Sequence, residues 1–117
     1  MAMRPTDFAG GVPIDGYGPG FVRVGGTVHY GAVIVSAAGV RTWAGIEDTA
    51  ALLALAPSTD LLLIGTGRDI AHAPPALLDA LDTAGIRAEA MASPTAARSY
   101  NVLLSEGRRV AAALLPT

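Results

Sequence analysis

The sequence predicts an α/β fold built as one layered domain, with helices on a parallel or mixed sheet and a small antiparallel β layer near the N-terminus. From Asp60 onward, apolar runs alternate with helical patterns in the order strand, helix, strand, helix, strand. That alternation is typical of a sheet with helices on its faces. The 117 residues, 51% of them hydrophobic, suit a single domain over residues 1–117 with a sizeable core.

The N-terminal third of the chain predicts the antiparallel layer. Residues 21–24 alternate apolar and polar side chains as a half-buried strand does, the glycine pair at 25–26 suits a hairpin turn, and residues 27–30 form the return strand. The apolar run at 32–35 predicts that this meander continues through residue 35. Residues 37–39, Ala-Ala-Gly, are expected to break it.

Two helices and a buried strand are predicted in the middle of the chain. Residues 47–56 are rich in Ala and Leu and open with two acidic residues, which favour a helix start, and Pro57 ends the helix. The continuous apolar run at 61–64 indicates a strand buried on both faces. The proline pair at 74–75 suits the first turn of a second helix, which ends at Gly85.

The last segments predict a strand, a helix and a final strand. Residues 87–91 form the strand. Ser93 is expected to cap the following helix with its hydroxyl, and Pro94 to occupy the first helical position. That helix covers residues 95–106, and residues 109–115 form the closing strand.

Charge and composition narrow the classes of partner. The net charge is −2 and no basic stripe is present, so we expect no nucleic-acid partner. Charged residues make up only 15%, which predicts a rather apolar surface and favours a protein partner or a homo-oligomer. The same low charge is also expected of a compact, alanine-rich domain from an organism that favours Ala, Gly and Arg.

Cysteine content and hydropathy bear on location. The chain has no cysteine, so disulfides, thiolate metal sites and a cysteine nucleophile are excluded. No apolar signal core follows the first seven residues, and the apolar runs at 61–64 and 110–115 are too short to span a bilayer. We therefore expect a cytoplasmic protein that is not integral to a membrane.

Two segments in the C-terminal half carry a family resemblance. Residues 61–67 read Leu-Leu-Leu-Ile-Gly-Thr-Gly, and residues 96–112 include the run Arg-Ser-Tyr-Asn that begins at Arg98. Together with Phe21 and Trp43 they resemble the family known as domain of unknown function 498. The resemblance implies a central mixed five-stranded sheet with helices and a smaller β layer. It also implies kinship with mitochondrial complex I assembly factors and an adipogenesis-associated protein, without an established enzymatic activity.

The chain departs from the family pattern at a few positions. Residues 91–94 read Met-Ala-Ser-Pro, where the family often has Met-Asp-Thr-Gly. Ala97 stands where the family often has cysteine, and Ser99 where it often has threonine. Any chemistry that depends on that aspartate or that cysteine is not expected here.

A glycine turn after the buried strand is the first candidate site. Gly65 and Gly67 would let backbone N–H groups approach an anion, and Thr66 and Arg68 would add a hydroxyl and a charge. The dinucleotide-binding fingerprint fails because Ile70 occupies the position of its third glycine. The simpler alternative is a tight turn at a strand end.

The helix at 95–106 supplies the second half of that site. Arg98 and Asn101 are three residues apart and share a helical face, where an arginine can hold a carboxylate or phosphate. In the alternative interpretation, Arg98 pairs with an acid such as Asp69, and Asn101 satisfies loop backbone. The complete predicted small-anion pocket consists of Gly65, Thr66, Gly67, Arg68, Arg98 and Asn101.

Neither a metal nor a cofactor is expected. His29 and His72 lie in different segments without further ligands at metal-binding spacing, and no Gly-x-Ser-x-Gly elbow is present. The leading hypothesis is therefore a non-catalytic protein-binding or respiratory-complex assembly module. The alternative is a small-molecule or anion-binding enzyme or sensor, and a third hypothesis is a purely structural homo-oligomer.

Overall fold

A computed structural model describes residues 11–117, and within that range the chain forms a three-stranded and a five-stranded sheet with three α-helices. The predicted α/β class with its small antiparallel layer is confirmed. In chain order the elements are β1 (Ile14–Gly18), β2 (Phe21–Val24), β3 (Thr27–Tyr30), β4 (Val33–Ser36), β5 (Gly39–Thr42), α1 (Thr49–Leu53), β6 (Leu61–Gly65), α2 (Pro75–Thr83), β7 (Arg87–Met91), α3 (Ser93–Ser105) and β8 (Val110–Leu114).

The central sheet is mixed and has the strand order β5-β4-β8-β6-β7, as the family resemblance implies. Strand β8 pairs parallel to β6, with Ala112 opposite Leu63, and antiparallel to β4, with Ala112 opposite Val35. Both β6 and β8 are buried along their whole length. The continuous apolar run at 61–64 therefore marks an interior strand, as predicted.

The antiparallel meander is shorter than the sequence predicts. Strands β1, β2 and β3 form it, whereas the run expected to extend it through Val35 leaves at the Gly31 turn and enters the central sheet as β4. Val33, Ile34 and Val35 are at most 1% exposed, so this strand is covered on both faces, which only the central sheet provides. The predicted break at 37–39 is a hairpin that leads into β5.

The helices agree with the sequence in position but differ at their ends. Helix α1 is shorter than the predicted range of 47–56, because Asp48 lies outside it and its carboxylate accepts the amide of Ala51 at 3.3 Å. A short 3-10 turn around Pro57 follows. Helix α3 already begins at Ser93, so Ser93 is not the predicted N-cap, and Ala92 occupies that position without a side-chain bond.

The core lies on both faces of the central sheet. On one face, Tyr100 and Leu104 of α3 pack with the inner side chains of the meander. On the other face, Leu52 of α1 and Leu81 of α2 pack with Trp43. Because α3 contacts β6, β8 and β1, it also connects the meander to the central sheet. No helix within residues 11–117 is long and apolar enough to cross a membrane.

The phenol of Tyr100 links stability to pH. This side chain is 0% exposed, and burial raises its pKa to about 12, whereas it titrates near the ordinary 10 in the unfolded chain. The neutral phenol therefore contributes stability that is complete below about pH 10 and is lost as the pH rises towards about 12. We expect wild type to lose more unfolding free energy than Tyr100→Phe between about pH 8 and about pH 11 in urea denaturation. Equal losses would contradict this linkage.

Candidate functional site

The glycine turn follows β6 and is bonded on both sides to neighbouring segments. The amide of Thr66 donates to Met91 O at 2.8 Å, and the carbonyl of Gly65 accepts the amide of Leu115 at 2.9 Å. The amide of Gly67 donates to Ser93 Oγ at 2.9 Å. The turn is thus joined to the segment after β8 and to the start of α3.

Close packing explains why glycine occupies this turn. A Cβ on Gly65 would lie 2.7 Å from Ser93 Oγ and 2.9 Å from Ser93 Cα, closer than side-chain atoms approach in proteins. Gly67 has a φ of 101°, which L-residues with a side chain rarely adopt. Gly65 therefore permits the close approach of α3 to the strand end, and Gly67 permits the backbone conformation of the turn.

Ser93 connects three segments at this point. Its hydroxyl donates to Leu115 O at 2.7 Å while accepting the amide of Gly67, and its own amide donates to Gly67 O at 2.7 Å. Because Ser93 is already the first residue of α3, its hydroxyl makes these bonds and does not cap the helix as the sequence predicts. The sequence feature that could have predicted this role is the Ser-Pro pair at the start of α3, which follows a strand ending in Gly-x-Gly within the same α/β unit.

Thr66 and Arg68 differ in what they offer to a ligand. The hydroxyl of Thr66 lies 2.8 Å from Asp69 O and 3.1 Å from Met91 O, and it accepts the amide of Ala71 at 3.0 Å. Its O–H and one of its two lone pairs are therefore engaged by the turn and by the end of β7. Arg68, in contrast, is exposed.

Asn101 holds the meander against α3. Its Nδ2 donates to Ile14 O at 2.7 Å, and its Oδ1 accepts the amide of Ile14 at 2.8 Å. The side-chain amide thus pairs with the backbone of β1 much as a neighbouring strand would. The interpretation in which Asn101 satisfies backbone groups agrees with this geometry, except that the backbone belongs to a strand and not to a loop.

Arg98 also faces the meander. Its Nη1 donates to the hydroxyl of Tyr17 on β1 at 2.9 Å, so its hydrogen bond goes to a neutral group and not to Asp69. Because α3 starts beside Gly67 and rises about 1.5 Å per residue, Arg98 lies roughly 7.5 Å further along the helix axis than Ser93. The structure therefore brings Arg98 and Asn101 together at β1, and Gly65, Thr66, Gly67 and Arg68 together at the end of β6.

A small groove lies between these two groups. Its walls include Tyr17 and Phe21 of the meander, Ser93 of α3, and Leu114 and Thr117 near the end of the chain. Its volume of about 10 Å³ is about what one water molecule needs. None of the predicted site residues lines this groove. Two of their hydrogen-bond partners do line it, namely Tyr17, which bonds Arg98, and Ser93, which bonds Gly67.

Metal-binding side chains do not gather in the part of the chain that the structure describes. No group of three His, Asp or Glu residues within 11–117 is arranged to hold an ion. Two ion pairs occur in that range, Arg23 with Asp15 at 2.6 Å and Arg109 with Asp60 at 3.7 Å, both exposed. The Arg23 guanidinium holds the pKa of the Asp15 carboxyl below its usual range.

Comparison with solved structures defines the class of protein. The fold is similar to a crystal structure of an outer membrane protein from Bartonella henselae, with a TM-score of 0.83 and 34% identity. That match covers 94% of this chain and 98% of the other. The chain therefore shares the α/β fold of that structure.

Sequence comparison identifies the family. The model of the family described as protein of unknown function (DUF498/DUF598) matches residues 14–115, and the chain belongs to this family. An uncharacterised protein of Rhodobacter capsulatus is 57% identical over 116 residues, covering 99% of this chain and 94% of that protein. The NADH dehydrogenase [ubiquinone] 1 alpha subcomplex assembly factor 3 of Danio rerio is 28% identical, covering 99% of this chain and 71% of that protein.

The two bonds of Asn101 predict a loss of stability when its side chain is shortened. Asn101→Ala leaves the N–H and C=O of Ile14 without these partners at a partly buried position, so we expect unfolding to become easier by about 1–3 kcal/mol. Ser105→Ala is the control, because this exposed serine on the same helix bonds only its own turn. Urea denaturation measures both variants. A change in Asn101→Ala no larger than in the control would refute this role.

Proposed function

We propose that this protein is a non-catalytic, protein-binding module that takes part in assembling a respiratory complex. The relationship to the assembly factor of Danio rerio supports the proposal, because the alignment runs through 99% of this chain and is not confined to one motif. A cytoplasmic location belongs to the same proposal. The lack of cysteine is compatible with a reducing compartment.

The internal use of the polar side chains at the candidate site is the observation that carries this proposal. Asn101 bonds Ile14, Ser93 bonds Gly67 and Leu115, and Thr66 bonds its own turn. These residues join structural layers with groups that catalysis would need free. Hydrogen bonds of this kind hold the layers of the protein in fixed positions. A surface on such a rigid frame is well suited to binding a partner without rearrangement.

Exposed apolar side chains provide the contact chemistry. Ile70, in the loop after β6, is 71% exposed, and Val102, on the outer side of α3, is 55% exposed. Side chains of this kind gain free energy when a partner covers them, at about 25 cal/mol per Å² of apolar surface. Because both side chains are exposed and apolar, we assign Ile70 and Val102 to partner binding.

A quantitative pulldown tests the assembly proposal. The tagged chain, expressed at its natural level and recovered from native membranes, is expected to bring down respiratory-complex subunits in stoichiometric amounts. Ile70→Asp and Val102→Asp should reduce this recovery several-fold, since each places a charge on a surface to be desolvated. Ser105→Asp adds the same charge at another exposed position of α3 and serves as the control. Recovery of no stoichiometric partner would contradict the proposal.

A second candidate function is an anion-binding enzyme or sensor. The hydrogen bonding of Arg98 supports it. Its guanidinium bonds the neutral hydroxyl of Tyr17, so its charge is not neutralised by a carboxylate within hydrogen-bonding distance among the described residues. Arg68 at the glycine turn is exposed. In this proposal the two guanidinium groups hold a phosphate or carboxylate at the end of the sheet that carries Gly65, Thr66 and Gly67.

Thermal denaturation with added anions tests this second candidate. Inorganic phosphate, nucleotides, phosphosugars and small carboxylates are screened, and a ligand at about 100 times its dissociation constant should raise the melting temperature by several degrees. The rise should disappear in Arg98→Ala and persist in Arg41→Ala, which removes an exposed arginine from β5. No stabilisation by any anion, or the same rise in both variants, would exclude the site.

A further inference from the structure

The sheet edges of this protein are protected unequally. A strand edge presents unpaired N–H and C=O groups, and charged residues or a covering element normally prevent another strand from pairing there. In the central sheet, the edge strand β5 carries Arg41, and β7 carries Arg87 and Glu89. In the meander, Asn101 of α3 bonds the edge strand β1 at Ile14.

Among residues 11–117, strand β3 has none of these protections. It reads Thr-Val-His-Tyr over Thr27–Tyr30, without a proline and without an acidic, lysine or arginine side chain. No hydrogen bond within residues 11–117 joins its outer edge to another segment. Among the four edge strands of the two sheets, it is therefore the one best suited to pair with a further strand.

The register determines which backbone groups point outward. The two-residue loop Gly25-Gly26 joins β2 to β3, and Gly31 N donates to Gly20 O at 3.0 Å just beyond the other end of the pair. In this register, Thr27 and His29 are the residues of β3 whose N–H and C=O groups bond β2. Val28 and Tyr30 alternate with them, so their N–H and C=O groups point away from β2. The edge thus offers two donors and two acceptors, two residues apart.

The side chains of Val28 and Tyr30 point to the solvent-facing side of the meander, perpendicular to these backbone groups, and both are exposed. Val28 is 42% exposed and Tyr30 78%, and the Tyr30 ring lies 6.3 Å from that of Phe21. The charged neighbour on this face is Arg23 of β2, which already pairs with Asp15. A strand that approaches this edge therefore meets apolar surface and a neutralised ion pair.

We propose that a second copy of this chain pairs with β3, strand to strand and antiparallel, across a two-fold axis at His29. Val28 then lies opposite Tyr30 of the partner subunit, and Tyr30 opposite the partner's Val28. This register matches all four outward N–H groups of the two strands with outward carbonyls, because the edge is complementary to itself under two-fold rotation. It also forms two aromatic with β-branched cross-strand pairs, which stabilise sheets. The two meanders become one six-stranded sheet.

The size of the contact sets the strength of this dimer. Only four residues of each copy form the strand pair, whereas stable interfaces bury about 800 Å² on each partner from about 20–30 residues. The net charge of −2 adds little repulsion between copies. The dimer is therefore weak and reversible, and it forms at micromolar or higher concentrations.

Sedimentation velocity from about 10 μM to about 1 mM tests the pairing. Wild type should shift from monomer to dimer across this range, and Val28→Lys and Tyr30→Lys should remain monomeric at the same concentrations. Ile70→Lys and Val102→Lys carry the same charge change at exposed apolar positions elsewhere, and they should dimerise like wild type. A wild type that stays monomeric throughout, or controls that also lose the dimer, would overturn the proposal.

Amide hydrogen exchange on the wild-type protein gives a second readout that does not depend on variants folding. The amides of Val28 and Tyr30 should exchange several-fold more slowly at high protein concentration, while those of Thr27 and His29, bonded to β2 in both states, stay unchanged. Dimerisation with unchanged exchange at Val28 and Tyr30 would assign the contact to another surface. The outcome is independent of the assembly proposal, whose test uses Ile70 and Val102.

Discussion

The rest of this structure depends on the complete burial of β8 between β4 and β6. Its residues are buried on both faces, and three consecutive alanines at its centre, Ala111, Ala112 and Ala113, are 0% exposed. Small side chains there let α3 lie close on one face and the α1 and α2 layer on the other. A larger side chain would separate one layer from the sheet, and the close approach at Gly65 would be lost with it.

The candidate site gains its geometry from this arrangement. Since α3 lies directly on the sheet, its first residue reaches the glycine turn, and its middle reaches β1 of the meander. Ser93 and Asn101 are therefore positioned at the two seams between layers. At both seams their hydrogen bonds include backbone groups as partners. A polar side chain that satisfies backbone groups stabilises the fold, and those bonds are not available to a ligand.

Local patterns in the sequence predict this fold best where neighbours in sequence are also neighbours in space. The strand β7 over Arg87–Met91 was predicted at the same residues, because a helix end at Gly85 and the start of α3 enclose it. The run that forms β4 was assigned to the wrong sheet, since its pairing with β8 depends on residues almost eighty positions away. Helical spacing predicts that Arg98 and Asn101 share one face of α3. It does not predict that they contact β1, because β1 is distant from α3 in sequence.

The placement of the aromatic side chains has an optical consequence. The chain has one tryptophan, Trp43, and it is buried with α1 and α2, whereas Tyr100 is buried beneath α3 on the opposite face of the central sheet. Indole fluorescence therefore follows the opening of one layer. The change in tyrosine absorbance on unfolding follows the other, because Tyr17 and Tyr30 are already exposed and Tyr100 is not. Each half of the interior carries its own natural chromophore, so loosening of either half is visible without an attached dye.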